Sequence, residues 1–505
     1  MGRVANSRLP KTAQDAALNV GQLALTLLVN VVATPIIVGS LGAAGYGLLT
    51  ALWTCLSWVV LLEAGLGPTL VLDVSRGARE NLSEAVGAAL RIALLVGLAC
   101  GAIATIISVA GSKAIAESFH VPPAWSNEFG DGIRTIMIGA PFLAYATVMT
   151  SVSMGTRSFT IHALAAFATG GGSTALAAVI ASLGGSLSDV AMATTVGAVA
   201  AAVVHTIYAA RLTSVNDVLK GNVNTGFVRR WKHFFGARAA SYVTGQVTDR
   251  SIIGLAVGSG SLAYYSVPAS LVQAANSLVA RAAEVVYPAA SQYFAAKDVR
   301  DTSLVESAIA LGAVLAGVVL GPLAGVDADL LRVWVGSDIA AGASGIVAQL
   351  CGGYFLIALT MVPAHLANAR GRTRVTSAFQ IAVALVDLVL LLVLIPYVGV
   401  KAASLAMLLT GVIVVPPSLA RLHAALESSS VTRTILRTNA AGMCAFLGAA
   451  STARLVCSLW RVEHLAAVLV TMVVSMSVAV CLGIVCDPTH AVTRVLRLEL
   501  RRGQG

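Results

Sequence analysis

The sequence predicts an all-α polytopic membrane protein: 14 transmembrane helices, arranged as two parallel-repeat six-helix lobes plus two C-terminal helices. Composition is the first reason. The 505 residues are 57% hydrophobic and 11% charged, against roughly 25% charged in soluble domains. A mean hydropathy of +0.85 over the whole length excludes a soluble domain on a single anchor. Spacing is the second, for fourteen apolar segments each approach the roughly 20 residues that cross a hydrocarbon core about 30 Å thick. Charge placement is the third. With the N-terminus inside, 24 of the 33 Lys and Arg residues fall in cytoplasmic segments and four lie within spans, leaving Lys113, Arg134, Arg332, Lys401 and Arg461 outside. Cations resist translocation, and one missed span would invert every later loop, so both termini are expected to be cytoplasmic.

The first lobe occupies 1–211. Arg3, Arg8 and Lys11 precede a first span at 19–39 that is too long for a signal-peptide core and reads as a retained signal anchor. This span carries Asn19, Gln22, Thr26 and Asn30 at spacings of 3, 4 and 4, one stripe along a helix face. Spans follow at 46–65, 85–109, 135–154, 163–183 and 189–210. Glu63 and Pro68 close the second, and Arg91 lies near the cytoplasmic end of the third, where an arginine snorkels. The longest exterior loop is expected at about 110–134. An interior loop at 211–234 with Arg229, Arg230 and Lys232 leads into the second lobe, 235–425.

Spans in that lobe are expected at 235–257, 262–286, 305–324, 345–366, 378–397 and 402–422. The seventh carries Tyr242, Gln246, Asp249 and Arg250, and the eighth carries Ser266, Ser270, Gln273, Ser277, Arg281 and Glu284 as a second polar stripe. Asp387 is the lone acid of the eleventh. Two additional helices, 440–459 and 465–485, lie within 437–485. The stretch 486–505, with Arg494, Arg497 and Arg501 near one helical face, reads as a basic cytoplasmic tail on anionic lipid.

The lobes repeat at one period. Leu41, Gly42 and Tyr46 recur as Val257, Gly258 and Tyr264; Glu63 with Pro68 recurs as Glu284 with Pro288; Gly155 and Arg157 recur as Gly371 and Arg372. Gly184, Ala191, Met192 and Thr195 match Gly399, Ala406, Met407 and Thr410. Six helices per lobe make the repeats parallel about an axis along the membrane normal, an architecture that transporters use for alternate opening.

Several functions are disfavoured. The net charge of +10 comes with no basic run interleaved with stacking aromatics, so nucleic acid is not an expected partner. The seven cysteines show neither a disulfide framework nor metal spacing. The eight histidines form no HExxH pair and read as solvated or helix-end residues. No GxxxxGK[ST] loop occurs, so nucleotide-driven pumping is unsupported, and no cofactor is expected. No loop is long enough for a catalytic domain, which argues against an enzyme.

Polar residues within spans mark a bundle interior, because lipid exposure is costly. The stripes of helices one, seven and eight therefore point to a hydrated cavity, with Asn30, Gln246 and Gln273 as polar contacts, or else to interhelical hydrogen bonds. Arg250 lies mid-span, where insertion costs on the order of 2.5–3.5 kcal/mol. Its neighbour Asp249 points about 100° away, so Arg250 is left to grip a pyrophosphate bidentately or to form an interhelical salt bridge. Arg281 and Glu284 stand three apart, an ion-pair spacing, with Arg281 an alternative substrate contact. Asp249, Glu63, Glu284 and Asp387 are the candidate ion or proton sites.

LGAAGYGLLTA and LLEAGLGPTLVLDVSR in the first lobe, with TDRSIIGLAVGSGSLAYYSVPASL and EVVYPAASQYFA in the second, resemble the polysaccharide-unit (Wzx-type) flippases. That family belongs to the MOP superfamily with the lipid II flippase and the MATE exporters. The resemblance covers the whole chain and implies a V-shaped bundle whose cavity is lined mainly by helices one, two, seven and eight. It implies translocation of undecaprenyl-pyrophosphate-linked oligosaccharide across the bacterial inner membrane for O-antigen or exopolysaccharide assembly. Membrane lipids, and a polysaccharide polymerase or export complex, would be the partners. A MATE-type cation or drug antiporter is the first rival, opposed by the lack of an acid between Asn19 and Gly39 and by the cationic Arg250. A polysaccharide polymerase or ligase is the second, opposed by the short exterior loops.

Overall fold

The computed structural model describes residues 11–63, 65–220, 227–228, 231–232, 235, 245–284, 303–425, 429–459 and 464–486. Arg3, Arg8, Arg229, Arg230, Pro288 and the basic tail after 486 lie outside them, as do the side chains of Asn19 and Gln246. All regular structure among the described residues is helical. Two units divide the chain: Met1–Tyr242 with Val257–Leu262, and Val243–Ala256 with Ala263–Gly505.

In unit 1 the helices are α1 (Lys11–Val60), α2 (Leu66–Glu80), α3 (Leu82–Ile106), α4 (Ser112–Ser118), α5 (Ser126–Gly155), α6 (Phe159–Phe167), α7 (Ser173–Ser182), α8 (Leu187–Ala210) and α9 (Val215–Lys220). Unit 2 has α10 (Gln246–Ala256), α11 (Leu262–Glu284), α12 (Ser303–Val335), α13 (Ser337–Gly342), α14 (Ile346–Ala369), α15 (Thr373–Val398), α16 (Ala402–Ala425), α17 (Ser429–Leu459) and α18 (Leu465–Val485).

Ten helical stretches among the described residues are long and apolar enough to cross a membrane. Two of them are far too long for one crossing, Gly21–Glu63 at 43 residues and Thr373–Leu422 at 50. At 1.5 Å per residue, 50 residues would extend about 75 Å, over twice the hydrocarbon thickness. Each breaks at a glycine, Gly42 at φ 70° and Gly399 at φ 56°. Both sit in the region of positive φ, where a Cβ clashes with the backbone and only glycine passes readily. Their sequence-matched partners Gly258 and Gly184 have φ of 109° and 81°.

Part of the expected exterior loop at 110–134 is helical. A π turn at Ile107–Gly111 carries α3 into α4, so helix continues to Ser118, and α5 begins at Ser126. Lys113 and Glu117 account for this, because a helix 37 residues long from Leu82 to Ser118 outruns the hydrocarbon and can carry charge beyond it. Caps fix other ends. Asn81 accepts a bond from the Glu84 amide before α3, and Ser186 with Asp189 forms a capping box before α8.

Helix α5 is the centre of unit 1, packed against α2, α3 and α8 through Tyr145, Val148, Met149 and Val152. In unit 2 that position belongs to α12, which lies against α14, α17 and α18. Since lipid tails are as apolar as leucine, close approach of backbones, more than water exclusion, binds such helices. Gly317, Gly321 and Gly325 form the approach surface on α12. A Cβ there would lie 2.7 Å from the Gly442 carbonyl oxygen, 2.7 Å from that of Phe446 and 2.5 Å from that of Ala450. Gly321→Leu is therefore expected to lower stability by at least about 1–3 kcal/mol, the cost of overpacking. Thermal unfolding in detergent would read it, with Gly130→Leu as control because a Cβ at Gly130 meets nothing within 4 Å. Equal melting temperatures for the two variants would overturn this account of the seam.

Candidate functional site

Five helices of unit 2 bring ionisable and hydroxyl groups together inside the bundle. Asp249 on α10 accepts a hydrogen bond from the Tyr265 hydroxyl of α11, and Tyr265 is 1% exposed. Asp387 on α15 is 4% exposed and accepts a bond from Thr410 Oγ1 of α16 at 3.4 Å. The two carboxylates lie within electrostatic range of each other. Tyr354 of α14 is within range of both and of Arg250. Helices α10 and α15 pack directly.

The three charged groups decide what the cluster can do. Asp249, Asp387 and Arg250, fully ionised, carry a net charge of −1. Charge in a bilayer interior is costly unless paired, so a site of this kind demands one more positive charge. A proton or a monovalent cation has the charge to fill that place, and the hydroxyls of Tyr265 and Thr410 donate to the two carboxylates. Among the described residues no group of three or more His, Cys, Asp or Glu side chains is assembled as for a metal ion.

Of the residues singled out by sequence, Asp249, Asp387 and Arg250 are thus in one cluster. Arg281 and Glu284 form the expected ion pair, 3.0 Å apart, with both side chains more than half exposed. Gln273 is exposed on the same helix. Asn30 and Glu63 belong to unit 1. Asn30 Oδ1 is buried without a hydrogen-bond partner among the described residues. Glu63 is 5% exposed and within electrostatic range of Cys100. Glu63 and Glu284, matched by the repeat, therefore occupy different surroundings.

The polar stripe of helix one has a packing role along part of its length. Gln22 Nε2 donates to Thr26 Oγ1 at 3.0 Å, and a Cβ at Gly171 would come within 3.1 Å of Thr26 Cα. Gly171 belongs to a π turn, Ala168–Gly172, between α6 and α7. The glycines there admit the backbone of α1 where a side chain would hold it off. His205 corrects the reading of histidines as solvated or helix-end residues. It is 1% exposed, with Nε2 3.5 Å from Thr150 Oγ1, and it is held inside because α8 turns that face toward α5.

Sequence reasoning singled out neither Tyr265 nor Tyr354. The signal available for Tyr265 was its place on α11 one residue before the polar stripe begins at Ser266, but a tyrosine in a span is as often an interfacial anchor.

Fold and site together define a multi-pass helical membrane protein with an embedded carboxylate pair. No family model matches the chain. A Shigella flexneri protein named "Putative O-antigen transporter" is 25% identical over 162 residues, 31% of this chain and 37% of that protein. Only that minority of the relative's length is spanned by the match. The structure is similar to "Lipid II flippase MurJ, inward closed conformation", with a TM-score of 0.68 and 11% identity over 94% of this chain and 98% of the other. It is also similar to an inward-facing "multidrug resistance MATE family transporter of the MOP superfamily", with a TM-score of 0.65 and 13% identity over 80% of this chain and 96% of that one. The fold is shared with these two proteins.

Proposed function

We propose that the protein is a cation-coupled flippase that moves lipid-linked oligosaccharide repeat units across the bacterial inner membrane, for O-antigen or exopolysaccharide assembly. The observation that carries the coupling is that Asp249 and Asp387 lie within electrostatic range of each other on helices α10 and α15, which pack together. Two carboxylates on separate helices, short of one positive charge, form an ion site that filling or emptying would reshape, since helices α10 and α15 are held apart or drawn together by its charge. The Shigella relative supports the class of cargo. Chemistry on a bond is not required of any group in the cluster.

In this reading the chain has fourteen spans with both termini cytoplasmic, and its two lobes are parallel repeats. Asn30, Gln246, Gln273 and Arg281 are the polar contacts proposed for the cargo, and a polysaccharide polymerase or export complex receives it. The MATE-like fold supports the alternative of cation–drug exchange. A deletion strain separates them. Loss of the gene is expected to accumulate lipid-linked sugar and remove surface polysaccharide, and restored drug efflux without any change in polysaccharide would overturn the flippase reading.

Topology has its own test. Reporter fusions after Gly155 and Gly505 are expected to report cytoplasm, and fusions at Lys113 and Arg332 periplasm. A periplasmic signal after Gly505 would overturn the span count.

A further inference from the structure

A second charged feature of unit 2 lies away from the carboxylate cluster. A cavity of about 470 Å³ opens between the start of α15 and the end of α16, lined by Arg372, Arg374, Arg421 and Ser418 and walled by Phe379 and Ala382. No acidic residue lines it among the described residues. The turn that presents the arginines is fixed. Gly371, at φ 77°, lets the Arg372 amide return to the Ala367 carbonyl at 2.9 Å, and Thr376 Oγ1 donates to Asn368 Oδ1 at 2.7 Å. On the opposite wall Ser418 is 8% exposed. Pro416 and Pro417 remove two backbone donors from α16 immediately before Ser418, which frees the helix to bend beside the cavity.

We infer that this cavity binds an anionic phospholipid of the bilayer, its phosphodiester held by Arg374, Arg421 and Ser418 and its acyl chain lying along Phe379 and Ala382. The guanidinium groups of Arg374 and Arg421 and the Ser418 hydroxyl, at the mouth of an apolar wall, match an amphiphile with an anionic head. Guanidinium groups take phosphate oxygens in pairs, and basic pockets between helix ends are where anionic headgroups dock. The cations of this turn belong to the cytoplasmic set of the positive-inside count, placing the pocket at inner-leaflet depth. The inference is independent of the cargo, because nothing in it involves the carboxylate pair. Bound there, a lipid would bridge α15, which carries Asp387, to α16, which carries Thr410.

Native mass spectrometry of the purified full chain, titrated with phosphatidylglycerol and separately with phosphatidylcholine, tests it. Wild type is expected to retain phosphatidylglycerol at least about tenfold more tightly, and Arg374→Gln with Arg421→Gln is expected to erase that preference. If the double variant does not fold, the exposed single change Arg421→Gln carries the test, and at least about a threefold loss of preference is expected. Equal retention of the two lipids by wild type, or an unchanged preference in the folded variant, would overturn the inference. So would displacement of phosphatidylglycerol by millimolar inorganic phosphate, which would make this a free-anion site. Displacement by equimolar undecaprenyl phosphate would likewise overturn it in favour of a cargo site.

Discussion

Asp387→Asn is expected to reduce coupled export at least about 100-fold while leaving the protein in the membrane. Asparagine keeps the shape of the side chain and an oxygen for the Thr410 hydroxyl, so the packing of α15 against α16 survives. What disappears is the charge. With Asp387 neutral, Asp249 and Arg250 balance, and the cluster no longer requires a cation. At about 1.4 kcal/mol per factor of ten, a loss of about 100-fold corresponds to about 2.8 kcal/mol of lost ion coupling, not of fold stability. Asp249→Asn should act the same way, since it can still accept from Tyr265. Thr410→Val removes only a hydroxyl and is expected to weaken cation dependence by about tenfold or less. Transport of lipid-linked sugar in proteoliposomes, under separately imposed sodium and proton gradients, is the measurement. Wild-type rates with either gradient in both asparagine variants would remove the carboxylate pair from the mechanism.

Arg250→Ala should have the opposite character and damage the protein itself. Without the guanidinium the two carboxylates carry −2 between them, and a loss of about 3–5 kcal/mol is expected, seen as low membrane abundance. Adding Asp249→Asn returns the net charge to −1 and should restore abundance without restoring export. Arg250→Lys keeps the charge and should retain both abundance and most export. If Arg250 instead grips a pyrophosphate, the alanine variant will be abundant but inactive, and lysine will rescue little because it cannot make two parallel bonds. Abundance beside export, measured for the three variants, separates charge balance from cargo binding.

How far the sequence foretold this site depends on whether the signal was local. The spans were legible because twenty apolar residues in a row have one physical explanation, and the breaks at Gly42 and Gly399 because a glycine between two such runs marks a turn. Asp249 and Asp387 were each legible as costly charges. Their meeting was not, because 138 positions separate them and no periodicity links one helix to another. The stripe of Gln22, Thr26 and Asn30 was legible as a stripe, whereas the backbone that Thr26 touches depends on a π turn whose Gly171 is 145 positions away. Glu63 and Glu284 show the limit of repeat reasoning: positions matched in sequence, one side chain enclosed and the other exposed and ion-paired with Arg281.

The glycine seam between α12 and α17 also has a consequence for biogenesis. Gly325 leaves the ribosome about 120 residues before Gly442, an interval of roughly 6 to 24 s at 5–20 residues per second. Throughout that interval the trench formed by Gly317, Gly321 and Gly325 has no α17 to fill it, and lipid chains packed against it lose the contacts that a fitted helix would give. Unit 2 therefore cannot mature as it is made. It closes only when its last pair of helices arrives, and a ribosome that stalls before Gly442 releases a half-built bundle whose central helix displays an unfilled groove, the kind of surface that membrane proteases and insertion chaperones encounter first.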